Sequence, residues 1–208
     1  MKREPRLKNN VGEKYLFVDG TNLYAGQYSL FGPSKYLVFS KFVKTIEKGL
    51  AKKFDRIYFY ASYSIRHKRL TRKEKIYLRN EDFFYKSVKN TPKTTFFKGY
   101  RSKTSGKEKV VDVKLASDLV AYAIVGKYKE AHLLTGDADF LEALFNARKH
   151  SKGVKFNILC LENKIMYRGS YHFPTFVFQF TKRKLSIDTR FYKLIQTDAG
   201  ALLADTEV

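Results

Sequence analysis

The sequence predicts an α/β fold, a mostly parallel twisted sheet with helices on both faces. Three observations predict it. Six short stretches rich in β-branched and aromatic residues recur along the chain, each of strand length. Longer stretches of helical length lie between most of them. The apolar stretches also carry nonpolar residues at successive positions, as strands do when both faces are covered and crossovers join them.

Taken in order, the strands are YLFVD (15–19), RIYFYAS (56–62), TTFFKG (94–99), AHLLTG (131–136), VKFNILCL (154–161) and TFVFQF (175–180), the last as a sixth, optional member of the sheet. Helices are expected over 35–53, 66–89, 112–127, 138–150 and, on a thinner pattern, 162–170. TPKTT (91–95) ends the second helix, because proline cannot continue it. The loop RSKTSGKEK (101–109) is polar and contains glycine, the composition of a mobile connection, and the final ADTEV reads as frayed. There is no internal repeat and no low-complexity linker. The chain divides into a basic tail (1–13), one domain (14–181) and an extension (182–208).

Composition narrows the function. The 41 Lys and Arg against 20 Asp and Glu give a net charge of +21, which attracts a polyanion, most commonly nucleic acid. No apolar run approaches the roughly 18 residues of a membrane span, and MKREPRLKNN lacks the apolar core of a secretory signal. With one cysteine, Cys160 in FNILCL, there is no disulfide framework, and that thiol reads as a buried apolar group. These features point to a cytoplasmic protein without a membrane partner.

Against this basic background four aspartates stand at comparable places. Asp19 ends the first strand, Asp112 opens a helix, and Asp137 and Asp139 follow the fourth strand. In an open α/β sheet the carboxyl ends of the strands form the ligand crevice, deepest where the strand order reverses. With order 3-2-1-4-5 that reversal lies between strands one and four, where Asp19, Asp137 and Asp139 would meet beside Asn22. Two carboxylates about 4 Å apart repel by about 4 kcal/mol at an effective dielectric of 20. Protonation or a cation must offset that, and hard oxygen ligands favour Mg2+ or Mn2+. Each aspartate also has an ordinary structural reading. Asp19 before Gly20 can be a turn residue, Asp139 with Glu142 resembles a capping box, and Asp112 suits a helix dipole. Asp118, about 240° round the helix from Asp112, is either a peripheral acid or a solvated one.

Other chemistries fail on their residues. A D-x-D-G-T phosphatase strand would need its nucleophile at Phe17, TSGKEK lacks the upstream glycine and the Ser/Thr of a P-loop, and no G-x-G-x-x-G follows a strand. His67, His132, His150 and His172 lack zinc-ligand spacing.

YLFVDGTNLY, KVVDVKLASDLV and LLTGDADFLEAL resemble, in order and spacing, the three motifs of the NYN domain family, within the PIN-like superfamily of metal-dependent nucleases. The resemblance runs from about residue 14 to 180. It implies a PIN-like, Rossmannoid sheet of order 3-2-1-4-5 and a Mg2+ or Mn2+ site for hydrolysing RNA. Asp19, Asp112, Asp137 and Asp139 match the family's acidic positions, and Asn22 matches its polar residue after the first strand. The family often shows K-G-V-D where this chain has Lys109-Val110-Val111-Asp112, which keeps the acid and stiffens the loop before it.

For an RNA partner, expected to be single-stranded, Lys68, Arg72, Lys75 and Arg79 fall at i, i+4, i+7 and i+11, one stripe of a helix. Lys109 could position a phosphate. Arg101, Lys103 and Lys107 of the loop and the cluster 182–184 are further cations, and Tyr100 could stack on a base. The expectation is a metal-dependent ribonuclease using activated water. The alternatives are an RNA-binding module with a structural or regulatory divalent ion, and a protein-interaction or membrane-surface protein with incidental basicity. Homo-oligomerisation stays open.

Overall fold

The computed structural model describes residues 12–101 and 108–206. In chain order the elements begin with β1 (Lys14–Asp19), α1 (Gly20–Phe31), β2 (Lys35–Leu37), α2 (Phe39–Leu50), β3 (Arg56–Ala61), α3 (Arg72–Lys89) and β4 (Thr94–Lys98). A short hairpin follows, β5 (Tyr100–Arg101) with β6 (Glu108–Lys109), then α4 (Val111–Ile124), β7 (Glu130–Leu134), α5 (Leu141–His150) and β8 (Lys155–Leu161). β9 (Thr175–Gln179), β10 (Tyr192–Gln196) and β11 (Leu203–Asp205) complete them.

Seven strands form one parallel sheet in the order β10-β9-β8-β7-β1-β3-β4. The five strands first expected, β1, β3, β4, β7 and β8, stand in the expected 3-2-1-4-5 order, and β9 continues the sheet. The seventh strand, β10, was not foreseen. Its exposed Lys193 and Leu194 alternate with no clear apolar face, because it is an edge strand with one neighbour.

Alternation along the strands sorts the core into two layers. Leu16 and Val18 of β1 face one cluster with Leu23 and Tyr24 of α1, Phe39, Phe42 and Ile46 of α2, and Phe84 and Val88 of α3. Tyr15 and Phe17 face the other, with Leu115 and Leu119 of α4 and Leu144 and Ala147 of α5. A period of two along a central strand therefore puts three helices on one face and two on the other. Phe59, wholly buried on β3, packs against Phe39 edge-on at 5.3 Å and Phe96 stacked at 5.2 Å. Truncating such a ring to alanine costs about 3–5 kcal/mol.

Several helix expectations need correction. α1 was not foreseen. It starts on Asp19 as N-cap and stops at Gly32 (φ 77°), whose N–H donates to the Tyr28 carbonyl. Its buried side holds Gly20, Gly26 and Gln27 beside Leu23 and Tyr24, so small and polar residues stand where a helical period would show large apolar ones. The helix expected over 35–53 divides into β2 and α2, because Lys35–Leu37 pairs antiparallel with β11. That same pairing holds residues of the tail expected to fray. α3 begins at Arg72, not 66. Thr71 accepts from the Glu74 N–H, and the Glu74 carboxylate accepts from the Thr71 N–H, a capping box that fixes the start. Over 162–170 there is no α-helix, only a 3-10 turn at Arg168–Tyr171. Cys160 and His132 are buried. Among the described residues no helix is long and apolar enough to cross a membrane.

Candidate active site

β1 delivers Asp19 to the carboxyl edge of the sheet, and the chain turns at once into α1. A β-carbon at Gly20 would lie 2.8 Å from the Tyr60 carbonyl oxygen and 2.2 Å from the Phe59 ring, so the turn accepts only glycine. Asp19 is 4% exposed. Its Oδ1 accepts from the Asn22 N–H at 3.0 Å and its Oδ2 accepts from the Thr135 hydroxyl at 2.7 Å. Burial pushes its pKa up to about 6; the two hydrogen bonds pull the other way, and the negative charges of Asp112 and Asp137 add to the rise.

The neighbouring strand β7 ends in Thr135-Gly136-Asp137. Thr135 receives the Asp137 N–H on its hydroxyl oxygen at 3.1 Å while donating to Asp19. The Asp137 carboxylate then accepts from the Asp139 N–H at 2.9 Å, capping the 3-10 turn Ala138–Phe140. The capping role foreseen for Asp139 therefore belongs to Asp137, and α5 starts on Phe140 without a side-chain cap. Asn22 spans the gap from α1, its Oδ1 accepting from the Gly136 N–H at 3.1 Å. A β-carbon at Gly136 would lie 2.3 Å from the Lys164 carbonyl oxygen, so this loop too is built around a close backbone approach.

Asp112 enters from a third direction, in the first turn of α4, where it is exposed and complements the helix dipole. Asp112, Val113, Ala116, Asp137, Asp139 and Phe140 line one cleft of about 220 Å3. The structure thus gathers Asp112, Asp137 and Asp139 on one cleft, with Asp19 and Asn22 behind them. A roomier groove of about 480 Å3 runs beside α3, lined by Tyr28, His67, Lys73 and Tyr77 among others. It holds no cluster of carboxylates, so volume and chemistry point to different places, and the chemistry favours the smaller cleft.

Asp118 does not line the cleft. It is buried, accepts from the Tyr60 hydroxyl at 2.8 Å and is ion-paired with Lys114 one turn earlier. It is an acid joining α4 to β3; of its two expected readings, burial excludes the solvated one, and it stands outside the cleft as a peripheral acid.

Among the described residues no three acidic, histidine or cysteine side chains are close enough together to hold an ion. The donor set still suits a hard divalent cation: oxygen ligands alone, three of them on an open cleft, with a fourth carboxylate buried and held by protein donors. The residues fit such an ion in kind; among those described, their spacing does not bring three of them together around one point.

Of the expected RNA contacts, Arg72, Lys75 and Arg79 lie exposed on α3, with Arg79 5.8 Å from the Phe83 ring centre. Lys68 precedes the helix and does not belong to its stripe, because Thr71 sets the start. Tyr100 is 62% exposed. Arg101 and Lys109 fall on the β5–β6 hairpin, and Lys103 and Lys107 lie outside the described residues. Sequence reasoning missed Thr135. A threonine closing a buried strand looks like an ordinary β-branched residue, and only its position directly before Gly-Asp signals otherwise.

A family model described as the NYN domain matches residues 14–168. No curated protein matches the chain. Among solved structures, a protein of unknown function from Vibrio parahaemolyticus RIMD 2210633 superposes with a TM-score of 0.54 at 14% identity, covering 85% of this chain and 97% of its own. That likeness bears on the fold alone.

Proposed function

The chain belongs to the NYN domain family, a nuclease-type family with a PIN-like fold, and from that premise we propose that it is a ribonuclease hydrolysing single-stranded RNA at the carboxylate cleft with Mg2+ or Mn2+. The observation that carries the reading is the meeting of Asp112, Asp137 and Asp139, from α4 and the β7–α5 loop, on one cleft in front of the buried Asp19.

In this reading Asp112, Asp137 and Asp139 are the acids that would hold the ion, which needs only one or two carboxylates at a time and keeps waters. Bound there, it would lower the pKa of a water and steady a phosphate oxygen. Asp19 works from behind. Its oxygens are held by Asn22 and Thr135, so it contributes fixed negative charge and braces the loop that carries Asp137. Thr135 and Asn22 are positioning residues, because each ties α1 or β1 to the Thr135–Asp137 turn. The exposed Arg72, Lys75 and Arg79 attract the RNA backbone. Among the described residues no serine, cysteine or histidine lines the cleft, and in this reading water is the nucleophile, with no covalent intermediate.

The experiment is cleavage of defined single- and double-stranded oligonucleotides with and without Mg2+ or Mn2+, wild type beside Asp137→Asn. Metal-dependent cleavage lost in the variant supports the reading. A second reading, RNA binding with a structural or regulatory ion, draws on the exposed Arg72, Lys75 and Arg79 of α3, which attract phosphates without any cleavage chemistry. Salt-sensitive binding without cleavage in either metal would select it.

A further inference from the structure

At the opposite rim of the sheet, five neighbouring strands each begin with a cation. In sheet order these are Lys93 just before β4, Arg56 opening β3, Lys14 opening β1, Lys129 just before β7 and Lys155 opening β8. Neighbouring strands lie about 4.8 Å apart, so the row extends for about 19 Å. Alongside, a depression of about 500 Å3 is lined by Lys14 and by Lys44, Lys48, Lys52 and Lys53 of α2 and its exit, with Glu47 among them.

Acids on this rim offset only part of the charge. Lys52 is ion-paired with the buried Glu130, and Lys53 lies 3.4 Å from Glu47. Asp55 accepts from the Lys14 backbone N–H, Glu13 from the Tyr15 hydroxyl, and Lys93 Nζ donates to the Phe54 carbonyl. Lys44, Lys48, Arg56, Lys129 and Lys155 are exposed and form no salt bridge among the described residues. Cations at helix carboxyl ends have an ordinary purpose, stabilising the dipole by about 0.3–1 kcal/mol. That accounts for Lys48 in the last turn of α2. It does not account for Arg56, Lys129 and Lys155, which open strands.

We propose that this rim is a second RNA-binding surface, which holds single-stranded RNA by its phosphates away from the carboxylate cleft; RNA as the partner rests on the function proposed above. The spacing and length of the row suit a polyanion, and neutralising each phosphate releases counterions. The six residues of β1 separate the rims by about 20 Å at about 3.3 Å each. A chain held at the rim raises the local concentration of its free end at the cleft, so RNA long enough to reach both binds more tightly than RNA that reaches one.

The test measures binding of fluorescent single-stranded RNA by anisotropy across a salt series, in chelator so that no cutting intervenes. The rim variant carries Lys44→Gln, Lys48→Gln, Lys129→Gln and Lys155→Gln, all exposed, with thermal melting as the check on folding. A control of equal charge change carries Lys41→Gln, Lys73→Gln, Lys98→Gln and Arg168→Gln, exposed cations given no part in RNA binding. We expect the slope of log affinity against log salt to fall by about 3 in the rim variant, at about 0.7 per phosphate contact, with a larger loss for long RNA than for short. An unchanged slope, or the same length-independent loss in both variants, overturns the proposal, the latter by showing only the field of the whole molecule. Anionic phospholipid vesicles form a separate arm. Vesicle binding that needs the four lysines, with RNA binding unaltered, replaces RNA by a membrane surface. The nuclease reading fails separately: rim-dependent binding without cleavage in Mg2+ or Mn2+ removes the nuclease and keeps the rim, whereas cleavage with an unaltered salt slope does the reverse.

Discussion

At the carboxyl rim of the sheet the charged groups are few, and hydrogen bonds place them; at the amino rim they are many, and strand starts place them. Asp19, Thr135, Asp137 and Asn22 form a connected set in which each member fixes the next. The lysines opposite share no such network, and most end in solvent. The buried polar groups differ too. At the carboxyl rim a carboxylate is buried and its pKa is raised to about 6. At the amino rim His132 is wholly buried beside Glu130 and Asn157, and burial lowers its pKa to about 4 while Glu130 pulls the other way. The contrast teaches that a site meant for one geometry spends its residues on mutual placement, whereas a surface meant for a polyanion needs only density and spacing of charge.

The sharpest way to break the comparison is Asp137→Asn. If the carboxyl rim is the reacting one, RNA cleavage drops more than about 100-fold, beyond the usual 10–100-fold of residues that only support metal ligands, and the melting temperature stays close to wild type. The largest stability effects belong to the two buried groups, with opposite signs. Asp19 has a folded pKa above its unfolded value. Its contribution is therefore full below about pH 4 and is lost as pH rises through about 6. His132 has a folded pKa below its unfolded value, so its contribution is present above about pH 6.5 and is lost as pH falls to about 4. Each is on the order of 3 kcal/mol at about 1.4 kcal/mol per pKa unit. Urea denaturation in chelator across this range should show Asp19→Asn more stable than wild type at neutral pH, and His132→Phe less sensitive to acid. Equal pH dependence in all three proteins would remove the electrostatic half of the contrast.

Thr135→Val tests the carboxyl-rim network. It keeps the shape and removes the hydroxyl, leaving Asp19 Oδ2 and the Asp137 N–H without their partner, at a cost of about 1–3 kcal/mol and of about 10–100-fold in cleavage. The smallest expected effect is at Val110. Its φ is +74°, a left-handed conformation that a β-branched residue adopts only under strain. Val110→Gly should raise stability by about 1 kcal/mol, read from the denaturation midpoint. A loss of stability would mean that the valine side chain contributes packing that outweighs its strain.

The layered sheet was legible because β1, β3, β7, β8 and β9 are apolar at successive positions, which solvent-facing segments are not, while the half-exposed β4 showed itself by its β-branched and aromatic run. The acids were legible because a carboxylate at the end of an apolar strand stands out against so basic a chain. α1 was hidden by the glycines that let it pack closely, and Lys68 was drawn into a helix because a periodic count does not see a cap. Thr135 was invisible since its role depends on Asp19, 116 positions away. The amino rim was hardest of all. Its cations sit singly at 14, 56, 93, 129 and 155, and no window of sequence contains two of them; only the strand order makes them neighbours.

β11 closes on β2, the Leu202 carbonyl accepts from the Val38 N–H at 2.9 Å, and the Thr206 N–H donates to the Ser34 carbonyl at 2.8 Å. The far end of the chain is thereby buckled over the joint between α1, which carries Asn22, and α2, which carries Lys44 and Lys48. A chain cut short before Leu202 would unfasten that joint and slacken both helices at once.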